Sequence, residues 1–314
     1  MSTEGSTRAV VAALLANTGI AITKFLAFAL TGASSMLAEA IHSVADSGNQ
    51  ALLLIGGRQA RRRPTPEHPF GYGRERYVYA FVVSIVLFSV GGLFALYEAY
   101  HKGHELHATH GHPDDSLLDS RWWWVPILVL LAAIVMESLS FRTAIRETGH
   151  VRGDASYVEF VRRAKQPELP VILLEDFAAL CGLAFALLGV GLALLTDNLW
   201  FDVAGTALIG LLLVAVAVVL AVETKSLLIG ESASVASEQR ISDAIGATQG
   251  IDRIVHLKTL HLGPDELLVA AKVAVPPASS APDVASAIDA AESAIRAAEP
   301  IARVIYLEPD IFRS

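Results

Sequence analysis

The chain has 314 residues, 53% of them hydrophobic, with a mean hydropathy of +0.49 and a formal net charge of −8. So much apolar side chain excludes an ordinary soluble globule in favour of membrane spans, and the acidic balance gives no reason to expect nucleic-acid binding. One cysteine, Cys181, excludes an intrachain disulfide and any CxxC metal site.

About 20 apolar residues cross a bilayer core. Six segments qualify: residues 8–30, 36–57, 77–99, 122–144, 170–196 and 200–222. Arg8 ahead of the first segment and the small residues Ala33 to Ser35 after it resemble a cleavable signal, but its length and the internal Lys24 predict a retained helix. For Asn17 and Lys24, interhelix bonding and snorkelling are favoured over lining a path.

The second segment carries Glu39, His42 and Asp46. Residues four apart share a helix face, so the imidazole of His42 and the carboxylate of Asp46 point the same way. An ionised Asp near the bilayer centre costs about 2.5 to 3.5 kcal/mol on insertion scales, so such groups face a partner, a cavity or an ion. The bland alternative is a hydrogen bond that fixes helix packing. Glu39, and Glu137 of the fourth segment, either relay protons or pair with a polar neighbour.

Orientation follows from Lys and Arg in the short loops. The loop between segments two and three holds Arg58, Arg61, Arg62, Arg63, Arg74 and Arg76, and that between four and five holds Arg146, Arg152, Arg162, Arg163 and Lys165. Lys102 and Arg121 are all that the 3–4 loop offers, which places both termini in the cytoplasm. That outer loop concentrates His101, His104, His107, His110 and His112, a tract that either collects metal weakly or is simply solvated. Trp122 to Trp124 form an aromatic belt at the outer boundary.

The fifth segment brings Glu175 and Asp176, either as ligands or as polar residues near the start of a helix opened by Pro170. After about Val222 the composition becomes that of a small soluble domain. Helices over 237–248 and 283–298 and strands over 253–262, 267–275 and 302–307 give the order αββαβ, with a turn at Gly263-Pro264-Asp265. That order suits a ferredoxin-like sandwich with its helices on one sheet face. The expected architecture is a six-helix transmembrane domain over 1–226 and a cytoplasmic domain over 227–314.

The stretch Ser35-Met36-Leu37-Ala38-Glu39-Ala40-Ile41-His42-Ser43-Val44-Ala45-Asp46-Ser47-Gly48-Asn49-Gln50 resembles the second-helix signature of cation diffusion facilitators. His68-Pro69-Phe70-Gly71-Tyr72-Gly73-Arg74-Glu75-Arg76-Tyr77 resembles the loop that follows it in that family. The resemblance covers nearly the whole chain. It implies export of a divalent transition metal, usually zinc, from the cytoplasm in exchange for protons, by a homodimer with one site per protomer and no cofactor. A mixed imidazole and carboxylate site suits zinc, iron, cobalt or manganese, whereas magnesium prefers oxygen ligands and retained water.

Many members of the family place a second pair on the fifth helix, His or Asp and then Asp four residues later. Here Ala179 lies four after Glu175 and Leu180 four after Asp176, so the second pair is missing. The resemblance therefore implies His42, Asp46 and Glu175 as metal ligands, with Asp176 an alternative or proton-carrying partner. The form Leu-Leu-Glu-Asp-x-Ala-Ala resembles a subfamily that includes the zinc transporter nine type. Family tails often hold regulatory zinc near the sheet, for which His256, His261 and Glu308 are available, although dimerisation is the favoured role of this tail. A metal-sensing receptor and a membrane metalloenzyme are the rival classes, yet the tail resembles no signalling module and no nucleophile stands beside the pair. A short chain without a targeting presequence is expected in a bacterial plasma membrane.

Overall fold

The structure is a computed structural model that describes residues 18–109 and 121–311. Asn17, His110, His112 and the start of the first expected span lie outside the described residues. The chain divides into two compact units. The first runs up to Gly56 and resumes over Tyr79–Thr224; the second comprises Gly57–Val78 and Lys225–Ser314.

Among the described residues seven helices precede the tail. They are α1 (Thr18–Thr31), α2 (Ser34–Gln59), α3 (Glu75–Ala108), α4 (Trp124–Arg152), α5 (Tyr157–Arg163), α6 (Glu168–Thr196) and α7 (Trp200–Ile229). Four of these, α3, α4, α6 and α7, are long and apolar enough to cross a membrane. Helix α2 has the length, 26 residues, but its polar residues take it below that level of apolarity.

Local chemistry sets the ends. Helix α1 stops at Gly32, whose φ of +66° suits glycine at a helix terminus. The turn from α6 to α7 is tight: Asp197 adopts φ +52°, and Asn198 Oδ1 accepts the Trp200 N–H at 3.0 Å. The first N–H of α2 is capped from far along the chain, by Asp202 of α7 at 2.9 Å. Small residues let helices approach closely, as is usual where lipid provides no hydrophobic drive between them. A Cβ on Gly92 of α3 would fall 2.8 Å from Val214 of α7, and one on Gly210 of α7 2.8 Å from Leu96 of α3. Large apolar side chains such as Leu131, Val135, Leu139 and Leu188 face outward, as lipid-facing residues do.

Two expectations need correction. The residues after 99 do not form a loop, because α3 continues through His101, His104 and His107 to Ala108. Lys102 and Glu105 pair at 3.0 Å, and buried Gly103 and Leu106 hold the other face against the bundle. Between α4 and α6 the chain also forms α5, whose N-terminus is capped by Ser156 accepting from the Glu159 N–H at 3.1 Å. The sequence alone suggests a loop for this stretch.

The tail consists of α8 (Val235–Gly246), β1 (Arg253–Gly263), β2 (Glu266–Ala274), α9 (Ala281–Ala298) and β3 (Ala302–Asp310). This is the expected αββαβ order. β2 is central, antiparallel to β1 with Leu260 opposite Leu268, and parallel to β3 with Val269 opposite Ile305. Alternate residues Leu267, Val269, Ala271 and Val273 share one face and pack against Ile241, Ile245, Ala287, Ala291 and Ile295 of the two helices. In the same unit Gly73 meets Gly263 so closely that a Cβ on Gly263 would lie 2.8 Å from the Gly73 Cα, and Arg76 pairs with Asp265 at 2.7 Å.

Helix α9 opens with a capping box between Ser280 and Asp283. The Ser280 hydroxyl and backbone N–H both donate to Asp283, which holds that carboxyl below its ordinary value. A depressed carboxylate adds stability above its unfolded pKa and loses it as pH falls through the folded one. Ser280→Ala should cost about 1 kcal/mol of unit stability. It should also flatten the acid limb of a thermal melt of the full chain below the usual carboxylate range.

Candidate metal site

The candidate residues of α2 follow one seam. Positions 35, 39, 42, 46 and 49 recur at alternating steps of four and three, so Ser35, Glu39, His42, Asp46 and Asn49 lie along one side of the helix. Ser35, Glu39, His42 and Asn49 are buried, and Asp46 is nearly so. His42 Nε2 lies 3.5 Å from Asp46 Oδ2. That spacing is an ion-pair distance and too long for a hydrogen bond of good geometry. Both ring nitrogens of His42 and Oδ1 of Asp46 are buried without a hydrogen-bond partner among the described residues.

Unpartnered buried polar atoms are costly, and native structures keep them for a reason. Opposite His42, helix α3 widens into a π-helical turn over Leu87–Leu93. π-turns inside α-helices are frequent at functional sites. Within it Gly91 leaves the imidazole room, since a Cβ there would stand 3.9 Å from Nδ1.

Helix α6 lines the seam with small residues and one acid. Ala178, Ala179 and Gly182 are buried, and so is Glu175, at 5% exposed. Glu175 Oε1 accepts from Asn49 Nδ2 at 2.6 Å, which ties the α6 carboxylate to the same face of α2 as His42 and Asp46. It stands seven residues into the helix rather than at its start. Asp176 turns the other way and accepts from Ser140 of α4 at 3.0 Å. Ala179 brings only a methyl group where the family places a second ligand.

The carboxylates of Glu39, Glu137, Glu175 and Asp176 all act electrostatically on Asp46 or are acted on by it, and Lys24 is the cation among them. This is an acidic interior with an imidazole in it. Its chemistry suits a small divalent cation better than an anion or a neutral solute. Among the described residues, no three His, Cys, Asp or Glu side chains converge on one point as they stand. The structure thus brings together a candidate pair, His42 and Asp46, with a third acid, Glu175, bonded to the same helix face through Asn49.

Three side chains add to the sequence expectations or decide between them. Asn49 was legible in principle, because it falls seven residues after His42 on the same seam. Lys24 does not snorkel: it is 1% exposed and bonds Glu39 and Ser43, each at 2.8 Å. Glu39 thus pairs with a polar neighbour, one of the two roles expected of it. Asp202, unremarked in sequence, accepts from the Ser34 and Ser35 hydroxyls and the Ser34 N–H, and its backbone carbonyl accepts from Thr206.

The other candidate groups are dispersed. His101, His104 and His107 are exposed along one side of α3. In the tail, His261 is buried with Nδ1 3.2 Å from the Gly263 carbonyl, His256 is exposed, and Glu308 pairs with Lys272 at 3.1 Å. Glu308 and Asp310 together hold the Lys272 ammonium above its ordinary pKa.

Comparison with known proteins fits this arrangement. The family model described as the cation efflux transmembrane domain matches residues 10–229. The mitochondrial proton-coupled zinc antiporter of Xenopus laevis is 31% identical over 276 residues, covering 87% of this chain and 47% of that protein. Its Homo sapiens counterpart is 30% identical over 76% of this chain and 41% of its own length. Metal tolerance protein C4 of Arabidopsis thaliana is 27% identical over 85% of this chain and 57% of that protein. The chain spans about half the length of these curated relatives. On the family match and the relatives at this identity, the chain is a multi-pass membrane protein and belongs to the cation efflux family.

Proposed function

We propose that this protein exports divalent transition-metal ions, zinc foremost, from the cytoplasm in exchange for protons. The observation that carries the reading is the buried His42–Asp46 pair, whose imidazole nitrogens and free carboxylate oxygen have no hydrogen-bond partner among the described residues. A cation satisfies the carboxylate oxygen and the unprotonated ring nitrogen. The names of the relatives, a proton-coupled zinc antiporter and a metal tolerance protein, point to the same cargo and coupling.

In this reading His42 and Asp46 are the first two ligands and Glu175 the third. Asn49 holds Glu175 against α2 until the ion arrives, and water or Asp176 completes the shell. Zinc favours four nitrogen, oxygen or sulfur ligands, and three protein ligands leave one position open for exchange. Ligands must be deprotonated to hold a metal, so loading releases protons and protonation from the far side favours release. Six spans, with both termini on the cytoplasmic side, are supported by the arginines of the 2–3 and 4–5 loops. A homodimer with a transport site in each protomer, the tail serving dimerisation, completes the proposal.

The ligand set and metal preference are tested together by competition flux in proteoliposomes with zinc, manganese, iron and cobalt. Glu175→Ala should lower zinc flux by about tenfold or more and flatten the preference among metals, while Asp176→Ala lowers it only a few-fold. The reverse ranking would make Asp176 the ligand. Undiminished zinc flux in both variants would remove the α6 acids from the site.

A further inference from the structure

We propose that Lys24 is a tethered counter-cation of the transport site. It holds Glu39 back from the metal and thereby keeps affinity low enough for the ion to leave. This inference rests on the reading of His42 and Asp46 as the metal pair.

Lys24 reaches from α1 into the seam of α2, with Nζ 2.8 Å from both Glu39 Oε2 and Ser43 Oγ. Its two partners flank His42 in sequence: Ser43 follows it directly and Glu39 precedes it by three residues, on the same helix face. Both members of the ion pair are buried, so neither is tolerable without the other. The second carboxylate oxygen, Glu39 Oε1, is buried without a hydrogen-bond partner among the described residues. It faces Gly182 of α6, where a Cβ would lie only 2.7 Å away, so the missing side chain leaves room for this carboxylate.

A buried carboxylate with one free oxygen, one turn from an imidazole and carboxylate pair, is a ready extra ligand for a divalent ion. Lys24 neutralises it. The ammonium also lies within electrostatic range of His42, Asp46 and Glu137, and therefore repels an ion held among them. Coulomb interactions between buried charges are strong because the surrounding dielectric is low. A carboxylate-rich site that held its ion without such opposition would load well and unload slowly. Lys24 is in this sense a positioning residue, touching Glu39 and Ser43 rather than the metal.

The test is zinc-driven proton flux by the full chain in proteoliposomes, with KM and kcat separated. Lys24→Met should lower KM by about tenfold and lower kcat with it, because the ion is held and not released. Lys24→Arg should restore both. Glu39→Gln should raise KM, since it leaves the ammonium unopposed. The double variant Lys24→Met/Glu39→Gln removes both charges, avoids an unpaired buried ion, and should return KM close to the wild-type value. A Lys24→Met variant with unchanged or raised KM, or a double variant no better than the single one, would overturn the proposal. His42→Ala in the same series keeps the two readings apart: persistent flux there sinks the metal-pair assignment, whatever Lys24 does.

Discussion

His42→Ala and Asp46→Ala are each expected to abolish metal-driven proton flux, a fall of at least about a hundredfold, while leaving the folded protein as stable as before or slightly more so. The two halves of that expectation come from one fact. Among the described residues neither ring nitrogen of His42 has a hydrogen-bond partner, and Asp46 Oδ1 has none either. Removing an unpartnered buried polar group forfeits no bond and ends a desolvation cost. If the pair existed only to fix helix packing, truncating it would lower the thermal midpoint and leave transport comparatively intact. Function and stability should therefore move oppositely to the packing account. The measurement is flux in proteoliposomes beside a melt of the same preparation in detergent. Normal flux in either variant would remove the site assignment.

Asp202→Ala should give the largest stability loss of any single substitution in the membrane unit, about 3 kcal/mol or more. The Asp202 carboxylate is buried and accepts from the Ser34 N–H at 2.9 Å, from the Ser34 hydroxyl at 3.0 Å and from the Ser35 hydroxyl. The Ser34 hydroxyl also meets Thr206 at 3.1 Å. Alanine would orphan the Ser35 hydroxyl and the first backbone donor of α2 at once and leave the Ser34 hydroxyl with Thr206 alone, each orphaned group costing about 1 to 3 kcal/mol where no water can replace the bond. The carboxylate also sits at the N-terminus of α2, where negative charge opposes the helix dipole. Asp202→Asn keeps one acceptor and should lose roughly half as much. Since α2 carries His42 and Asp46, transport should fall along with the melting temperature, unlike in the His42 series. A melt unchanged by Asp202→Ala would show that α2 is held elsewhere.

The periodic and local features were legible from sequence, and the long-range ones were not. Hydrophobic runs located the long helices, although α3, α4 and α7 continue seven to nine residues past their apolar stretches, and alternation located the tail strands, because both signals depend on neighbours only. The extension of α3 through His101, His104 and His107 was misread because polar composition was taken for a loop. Exposed charged and His residues are compatible with a helix when Gly103 and Leu106 bury its other side. The capping of α2 spans 168 positions, from Ser34 to Asp202, and no local pattern announces it. The same holds for the bond from Asn49 to Glu175, 126 positions away. Sequence offered Glu175 and Asp176 as near equals; the helix rotation turns one toward α2 and the other toward Ser140, a difference that only three-dimensional packing decides. For Lys24 the sequence leaves interhelix bonding and snorkelling both open, because α1 alone does not reveal that Glu39 waits opposite it.

Metal/proton antiport requires vectorial exchange by the wild-type protein. Proteoliposomes carrying a pH-sensitive dye inside and a zinc gradient across the membrane should show proton movement opposite to zinc, at a rate set by the gradient and absent from protein-free vesicles. Zinc that binds saturably while no protons cross, or crosses with protons in the same direction, would contradict it.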